Sequence, residues 1–144
     1  MSALMDAARA VAHNAHAPYS GFGVGAAVLL EGGEIATGCN FENASYGLTL
    51  CAETVVLSTV NAMGKLRQVR EIAVVGGLIK DGVIMGSDPV RPCGRCRQII
   101  HEAAQLSNWD VLIHCASADG RTVETHKISA LLPYAFGPSD IGVK

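Results

Sequence analysis

The segments of this 144-residue chain alternate between helical and extended hydrophobic patterns, and this order constrains the fold more than any other feature of the sequence. Apolar residues at helical spacing predict a first helix within 3–15, and the segments 51–63 and 96–106 predict two more. A short helix within 126–132 is predicted near the end of the chain, so the order is α-β-β-α-β-α-β-β-α. Apolar runs rich in small and β-branched residues predict the strands, and these runs cover 24–30, 35–39, 72–75, 111–115 and 122–125.

Helices that alternate with strands favour a layered α/β sandwich, in which helices cover a sheet. We therefore expect one domain over residues 1–144 with a sheet of about five strands. The chain length suits one hydrophobic core, and 49% hydrophobic against 17% charged residues favours a packed fold over disorder. The segment 80–90 is predicted to be irregular, and no function is assigned to it.

The charge of the chain argues against a nucleic-acid partner. The formal net charge is −2 and no run of Lys or Arg is present, whereas proteins that bind a nucleic-acid backbone usually carry a basic stripe. No apolar run reaches the roughly 18 residues that a membrane-spanning helix needs, and the first residues lack the pattern of a signal peptide. We therefore expect a cytoplasmic protein with a small-molecule ligand, no nucleic-acid partner and no membrane partner.

Three of the five cysteines lie where loops enter predicted helices. Cys93 and Cys96 are three residues apart, so they face the same side of a first helical turn, and Cys51 begins another helix. If the two helix starts meet, three thiolates converge on one point that suits a cation such as zinc. Catalytic zinc sites use three protein ligands and leave the fourth position to water, whereas structural sites are usually closed by four. Cys39 and Cys115 lie in apolar strands and are expected in the core.

Glu53 lies two residues after Cys51, near the same helix start. A carboxylate beside a metal-bound water is what a hydrolytic enzyme needs for proton transfer. Taken alone, a CxxC pair is about as often structural or redox-active as catalytic, and a single glutamate is usually solvated. His101 and His114 are not at ligand spacing from the cysteines, and His101 is expected on the surface of the third helix. The combination predicts a zinc-dependent hydrolase, with a non-catalytic zinc-binding or redox module as the alternative.

The combined motifs resemble those of the zinc-dependent cytidine deaminases, and the likeness extends through nearly the whole chain. The segments CAE (51–53) and PCGRCRQ (92–98) are similar to the two zinc segments of that family, a signature already described for zinc deaminases in general. The resemblance implies a three-layer α/β/α sandwich with a mixed sheet of about five strands. Further similar segments are 18–20, 22–26, 40–47 and 131–136.

The resemblance also implies a reaction. Cys51, Cys93 and Cys96 would bind Zn²⁺, and Glu53 would take a proton from the zinc-bound water, deliver it to ring N3 and assist the loss of ammonia. The resulting hydroxide would attack C4 of cytosine, which converts cytidine and 2′-deoxycytidine to uridine and 2′-deoxyuridine. A hydrolase of this kind would serve pyrimidine salvage.

Four other residues are implied in binding the nucleoside. Asn40 and Glu42 would hydrogen-bond the ribose hydroxyls. Phe22 would pack against the base, and the backbone of Ala52 would contact its exocyclic amine. The pair Asn40 and Glu42 favours a nucleoside over other substrates of the wider deaminase class.

The resemblance further implies an active site shared between subunits. In the small all-cysteine members the site lies between subunits of a homotetramer, so that Tyr46 and Phe136 would reach into a neighbouring site. The alternative for these two residues, and for Phe22, is ordinary packing in the core or at an interface.

The chain departs from the resembled pattern directly after Glu53. Many all-cysteine members carry an arginine there that hydrogen-bonds the ligand thiolates, and this chain has Thr54. Three thiolates make zinc a poorer Lewis acid unless hydrogen bonds or positive charge offset them. We expect Arg95, Arg97 or backbone N–H groups to supply that compensation, although Arg97 is equally well explained as a surface residue.

A close rival reading is a deaminase of a cytosine-containing antibiotic such as blasticidin S. It would share the zinc and the glutamate, but it would not need the same ribose contacts. Deaminases of tRNA or free guanine are less favoured, because they usually carry a His ligand and the former needs a basic surface.

Overall fold

Six strands form one mixed sheet in the computed structural model, which describes residues 2–144. The sheet order is second, first, third, fifth and sixth strand, and the short fourth strand pairs with the third. The third and fifth strands pair in parallel, whereas the other neighbours are antiparallel. In chain order the strands are β1 (Phe22–Leu30), β2 (Ile35–Cys39), β3 (Val69–Lys80), β4 (Val83–Met85), β5 (Leu112–Ser117) and β6 (Val123–Lys127).

Helices cover both faces of the sheet, which confirms the three-layer sandwich. Leu4 and Ala8 of the first helix pack on one face, and the second and third helices pack on the other. The middle strand β3 alternates between the two, because Ile72 and Val74 face the second and third helices while Ala73 faces the first. A strand buried on both faces needs a continuous apolar run. The helices are α1 (Ser2–Ala12), α2 (Ala52–Ala62), α3 (Gly94–Ser107) and α4 (Ile128–Leu131).

Two glycines let helices lie directly on strands. A Cβ atom added to Gly25 of β1 would lie 2.1 Å from the carbonyl oxygen of Ala8 in α1. A Cβ atom on Gly38 of β2 would lie 2.7 Å from the backbone nitrogen of Val56 in α2. Side chains larger than hydrogen would push these helices away from the sheet. The second contact fixes how far the start of α2 lies from the end of β2.

The segment 80–90 is not irregular throughout, which corrects the prediction. Strand β3 continues through Gly76 and Gly77 to Lys80, and the pair Asp81 (φ 51°) and Gly82 (φ 75°) turns the chain into β4. Positive φ at both central residues is typical of the type I′ hairpin turn. The glycines allow a close approach instead of ending the strand, since a Cβ atom on Gly77 would lie 2.1 Å from the carbonyl oxygen of Met85.

The helices lie close to where the sequence predicts them. The segments 51–63 and 96–106 correspond to α2 and α3. Of the last predicted helix, 126–132, the first two residues belong to β6 and the next four form α4. Within residues 2–144 no helix combines the length and the apolar character that crossing a bilayer requires.

Candidate active site and metal centre

The starts of α2 and α3 bring three sulfur atoms together. Cys51 and Cys93 are the residues that precede these helices, and Cys96 lies in the first turn of α3. The three Sγ atoms lie within 4.8 Å of one another, and those of Cys93 and Cys96 are 3.5 Å apart. Tetrahedral ligands that each bind zinc at about 2.3 Å lie about 3.8 Å from one another. The donor set and its spacing therefore fit Zn²⁺.

Each thiol in the cluster affects the acidity of its neighbours. A hydrogen bond from Cys96 lowers the pKa of Cys51 to about 6, whereas donating to Cys51 raises the pKa of the buried Cys96. Neither Cys51 nor Cys93 caps its own helix through its side chain. The cluster thus favours a thiolate at Cys51, next to two helix starts whose dipoles also stabilise negative charge.

Glu53 lies in the first turn of α2 and is only 4% exposed. Burial raises the pKa of its carboxyl group above the ordinary value, and the negative charge of Cys51 raises it further. In the part of the chain that the structure describes, no Lys, Arg or His forms an ion pair with Glu53. A buried carboxyl group without a cation is suited to gain and lose a proton.

A cavity of about 330 Å³ opens onto the cluster and contains most of the predicted site. A larger cavity of about 630 Å³ lies between α3 and the C-terminal segment, but none of its lining residues is a cysteine. Of these two cavities, the smaller one is the candidate active site, because it combines thiols with the buried carboxyl group and the larger one does not. Predicted site residues that line it are Phe22, Asn40, Glu42, Cys51, Ala52, Glu53 and Cys93.

Asn40 and Glu42 are buried at the wall of this cavity and face the same way. Residues two apart in an extended segment share a face, and His16 holds the segment extended: its N–H donates to the carbonyl of Asn40 at 3.0 Å, and its carbonyl accepts from the N–H of Glu42 at 2.9 Å. The intervening Phe41 is 54% exposed. The spacing of the two polar residues therefore places both side chains on one wall.

The side chain of Asn40 is held by the start of β1, and that of Glu42 by the chain directly before it. The Asn40 amide accepts a hydrogen bond from the N–H of Val24 at 2.9 Å and donates to the carbonyl of Phe22 at 2.8 Å. One carboxylate oxygen of Glu42 accepts from the N–H groups of Tyr19 and Ser20 at 3.0 and 3.1 Å. The other accepts from the Ser20 hydroxyl, and this bond lowers the pKa of Glu42.

Tyr46 and Phe136 do not pack in the core of this chain. Tyr46 is 73% exposed, and its ring meets that of Tyr19 edge-on at 5.6 Å between centroids. Tyr46 lines a second cavity of about 360 Å³ that shares Ser20 and Glu42 with the first. Phe136 is 64% exposed, and its carbonyl accepts a hydrogen bond of 2.7 Å from Gln98. Both rings are thus placed to contact another molecule.

The two arginines expected to compensate for Thr54 differ in their surroundings. Arg97 donates to the carbonyls of Pro92 at 2.9 Å and Leu131 at 3.0 Å, so it braces the loop before Cys93 and is not a free surface residue. The charge of Arg95 adds to the hydrogen bonds from neighbouring thiols that lower the pKa of Cys51.

Reasoning from the sequence assigned no role to Ser20 and Arg91, which both line the cavity. The Ser20 hydroxyl contacts Glu42, as described above, and Arg91 lines the cavity next to Cys93. Arg91 forms a two-pronged ion pair with Glu124 of β6 and lowers the pKa of that carboxyl group to about 2. The partners are 22 and 33 residues apart in the sequence. The available signals were the place of Ser20 in the similar segment 18–20 and that of Arg91 directly before the PCGRC motif.

The histidines stand apart from the metal cluster, which among the described residues contains the three cysteines alone. His114 is buried in β5, where its Nδ1 lies 2.8 Å from the hydroxyl of Thr125. His101 is only half-buried, but its Nε2 atom is covered, and a Cβ atom on Gly137 would lie 2.6 Å from it. The surface prediction for His101 is therefore wrong for its ring. Cys115 is fully buried as expected, whereas Cys39 at the end of β2 is only partly buried and lines a cavity.

An α/β/α sandwich in which two helix starts gather three thiols beside a buried carboxyl group has the architecture of the zinc-dependent deaminase class. Residues 1–111 match the model of the family described as "Cytidine and deoxycytidylate deaminase zinc-binding region". The chain belongs to this family, and its cofactor is Zn²⁺.

Similar proteins agree with this assignment. The cytidine deaminase of Mycobacterium tuberculosis is 41% identical over 130 residues, which cover 90% of this chain and 84% of the relative. The cytidine deaminase of Halalkalibacterium halodurans is 40% identical over 127 residues, covering 88% of this chain and 86% of the relative. The crystal structure of cytidine deaminase from Burkholderia pseudomallei matches with a TM-score of 0.80 and 38% identity, over 94% of this chain and 98% of that chain.

Proposed function

We propose that this chain removes the amino group of free cytidine and 2′-deoxycytidine by hydrolysis, giving uridine or 2′-deoxyuridine and ammonia. The observation that carries the proposal is one cavity that opens onto the thiol cluster and is lined by a buried carboxyl group and two anchored polar side chains. The cytidine deaminase names of relatives that match most of the chain support the choice of substrate.

Cys51, Cys93 and Cys96 would hold the zinc ion. When bound, zinc lowers the pKa of a coordinated water from about 16 to near 7. Glu53 would accept a proton from water and deliver it to ring N3 of the base. It would then take the proton of the hydroxyl group added at C4 and pass it to the amino group, which leaves as ammonia. The burial of Glu53 at the wall of the cavity supports this role, because a shielded carboxyl group exchanges protons with the substrate instead of with solvent.

Asn40 and Glu42 would bind the ribose, while Phe22 and the backbone of Ala52 would bind the base. Asn40 uses one amide hydrogen on the carbonyl of Phe22 at the start of β1, so its second amide hydrogen is free for a sugar oxygen. Glu42 is an acceptor, because its lowered pKa keeps it ionised. Anchored donors and acceptors favour a ribose over the different polar part of an antibiotic such as blasticidin S.

The charges in the cavity favour a nucleoside over a nucleotide. Two carboxyl groups, those of Glu42 and Glu53, line the cavity. Among the described residues that line it, Arg91 is the one Lys or Arg, and Glu124 neutralises it. A phosphate group would therefore meet negative charge without a free cation to bind it.

We further propose that the chain acts as a homotetramer whose active sites lie between subunits. Tyr46 and Phe136, both exposed, would then complete the sites of neighbouring subunits. Five free cysteines are typical of a reducing compartment, so we propose pyrimidine salvage in the cytoplasm as the biological role.

A substrate panel tests the proposal. We expect the purified protein to convert cytidine and 2′-deoxycytidine, with the loss of absorbance that accompanies uridine formation, and to leave cytidine monophosphate and blasticidin S largely unchanged. Turnover of blasticidin S in preference to the nucleosides would contradict the proposed substrate. A zinc-loaded protein that converts none of these compounds would favour a non-catalytic zinc-binding module.

A further inference from the structure

We propose that Ser20 is a positioning residue for sugar recognition, because its hydroxyl group fixes the carboxylate of Glu42 against the cavity wall. This inference rests on the proposed role of Glu42 in binding the ribose. Ser20 lines both the cavity at the thiol cluster and the adjoining cavity beside Tyr46, so it lies where the two meet at Glu42.

The Ser20 hydroxyl makes two hydrogen bonds whose directions are determined by their partners. The backbone N–H of Phe22 donates to the Ser20 Oγ atom at 3.0 Å. A backbone N–H can only donate, so the single proton of the hydroxyl remains for Glu42, whose Oε2 atom accepts it. The hydroxyl thereby connects the residue proposed to bind the sugar with the backbone of the residue proposed to bind the base.

The hydroxyl fixes the one oxygen of Glu42 that the backbone does not hold. The Oε1 atom already accepts from the N–H groups of Tyr19 and Ser20. Without the hydroxyl, the carboxylate keeps that attachment, but its Oε2 atom has no protein donor among the described hydrogen bonds. It could then rotate about the bound oxygen, and a sugar hydroxyl would have to order it on binding.

The bond also keeps Glu42 an acceptor. Hydrogen bonds to a carboxylate favour its ionised form, and the Ser20 hydroxyl is the largest cause of the lowered pKa of Glu42. A carboxylate held in this way accepts from ribose hydroxyls but gains nothing from a sugar that lacks them. The effect of Ser20 should therefore depend on the hydroxyl groups of the substrate.

The experiment compares kcat/KM for cytidine and for 2′,3′-dideoxycytidine, the latter followed at high enzyme concentration. We expect Ser20→Ala to lower the value for cytidine about tenfold, mainly through KM, because a hydrogen bond to a charged group is lost. The value for dideoxycytidine should change by less than about twofold, since the 2′- and 3′-hydroxyls that would meet Glu42 are missing. Ser20→Thr, which keeps a hydroxyl on an exposed residue, should retain most of the activity on cytidine.

The chain contains a matched control at Ser129. This exposed serine also donates its hydroxyl to a carboxylate, at 2.6 Å from Asp110, and its backbone N–H bonds the same group at 3.2 Å. Ser129 does not line the cavity at the thiol cluster. Ser129→Ala should therefore leave kcat/KM unchanged for both nucleosides, and a melting curve for each variant would show that it folds.

Equal losses on both nucleosides in Ser20→Ala, no loss on either, or a Ser20→Thr variant that behaves like Ser20→Ala would overturn the inference. Glu42→Gln separates this failure from that of the proposed function. If Glu42→Gln impairs cytidine selectively while Ser20→Ala does not, only the inference about Ser20 fails. If Glu42→Gln impairs both nucleosides equally, the sugar-binding role of Glu42 is itself wrong.

Discussion

At the scale of single residues, the charge around the metal centre affects both the Lewis acidity of the zinc ion and how firmly it is retained. Three thiolates around Zn²⁺ leave a net charge of about −1, which nearby positive groups can offset. Thr54 offers no charge next to Glu53, and Arg97 is committed to two backbone carbonyls. Arg95 is the arginine whose charge acts on Cys51.

We therefore expect Arg95→Gln to release zinc to a chelator several times faster than the native protein, since the uncompensated charge at the centre increases by about one unit. A zinc-binding dye would follow the release. Arg121→Gln is the matched control, because the Arg121 side chain is 86% exposed and forms only a long ion pair with Asp119. Adding Thr54→Arg to Arg95→Gln should restore zinc retention, and equal release rates for all these proteins would contradict the role of Arg95.

The residues of the centre differ in how far the sequence predicts them. Cys93, Cys96, Cys51 and Glu53 follow from local motifs, since helix starts impose the geometry that the spacing already indicates. The bond between Ser20 and Glu42 depends instead on how the chain before β1 folds against residues about 20 positions later. No local pattern encodes such a pairing, and the same holds for Arg91 with Glu124.

At the scale of elements, the site depends on helices that are placed closely on the sheet. Gly25 allows α1 to lie against β1, and Gly38 allows α2 to lie against β2, which ends next to Asn40. The sheet itself brings the starts of α2 and α3 together, since both helices pack on one face. Gly38 therefore contributes to the position of the metal centre, because α2 begins directly after Cys51.

Gly25→Ala tests the close contact of α1 with the sheet. We expect it to lower the free energy of unfolding by about 2–3 kcal/mol, because the added methyl group overlaps the backbone of α1 and forces the helix to move. Urea denaturation would measure the change. Gly32→Ala is the matched control, since nothing lies within 4 Å of its added Cβ atom. Similar stabilities for the two variants would contradict the close packing.

Other glycines limit how well the sequence predicts where strands end. The helices and the first two strands follow from hydrophobic periodicity, and their order indicates the sandwich correctly. The predicted strand 72–75 ends before Gly76 and Gly77, but both glycines lie inside β3, where other backbones approach them closely. In the sequence, a glycine that allows a close approach cannot be distinguished from one that ends a strand, and only the tertiary structure shows which role it has.

At the scale of the whole molecule, the proposed homotetramer would give two exposed aromatic residues a function in the sites of neighbouring subunits. Large apolar side chains are costly to leave in water, and Tyr46 and Phe136 are both more than half exposed. The Tyr46 ring meets that of Tyr19, and the backbone at Phe136 is held by a hydrogen bond from Gln98. Exposed aromatic residues are enriched at interfaces between protein chains.

Subunit mixing tests whether sites are shared. We expect Phe136→Ala to be nearly inactive as a pure protein and Glu53→Gln likewise. When the two are co-assembled one to one, about a quarter of the sites should combine Glu53 with a neighbour's Phe136, as random exchange in a closed oligomer gives. Activity should therefore reappear in the mixture.

A mixture of Glu53→Gln with Cys51→Ser is the control, because both changes affect groups that one subunit supplies to the same cavity. Every subunit in this mixture lacks either Glu53 or Cys51, so no cavity contains both native residues, whichever subunits exchange. This mixture should therefore stay inactive. Absence of recovery in the first mixture, with exchange of subunits verified by tagged chains, would contradict a shared site.

The most direct measurement determines zinc content and turnover together in Glu53→Gln. We expect the native protein and the variant to contain about one zinc ion per chain, since the three thiols are unchanged. The kcat/KM of the variant for cytidine should fall at least about a thousandfold, because the amide cannot transfer the proton. A variant that contains zinc and deaminates cytidine at the native rate would contradict the role of Glu53 and the hydrolytic mechanism built on it.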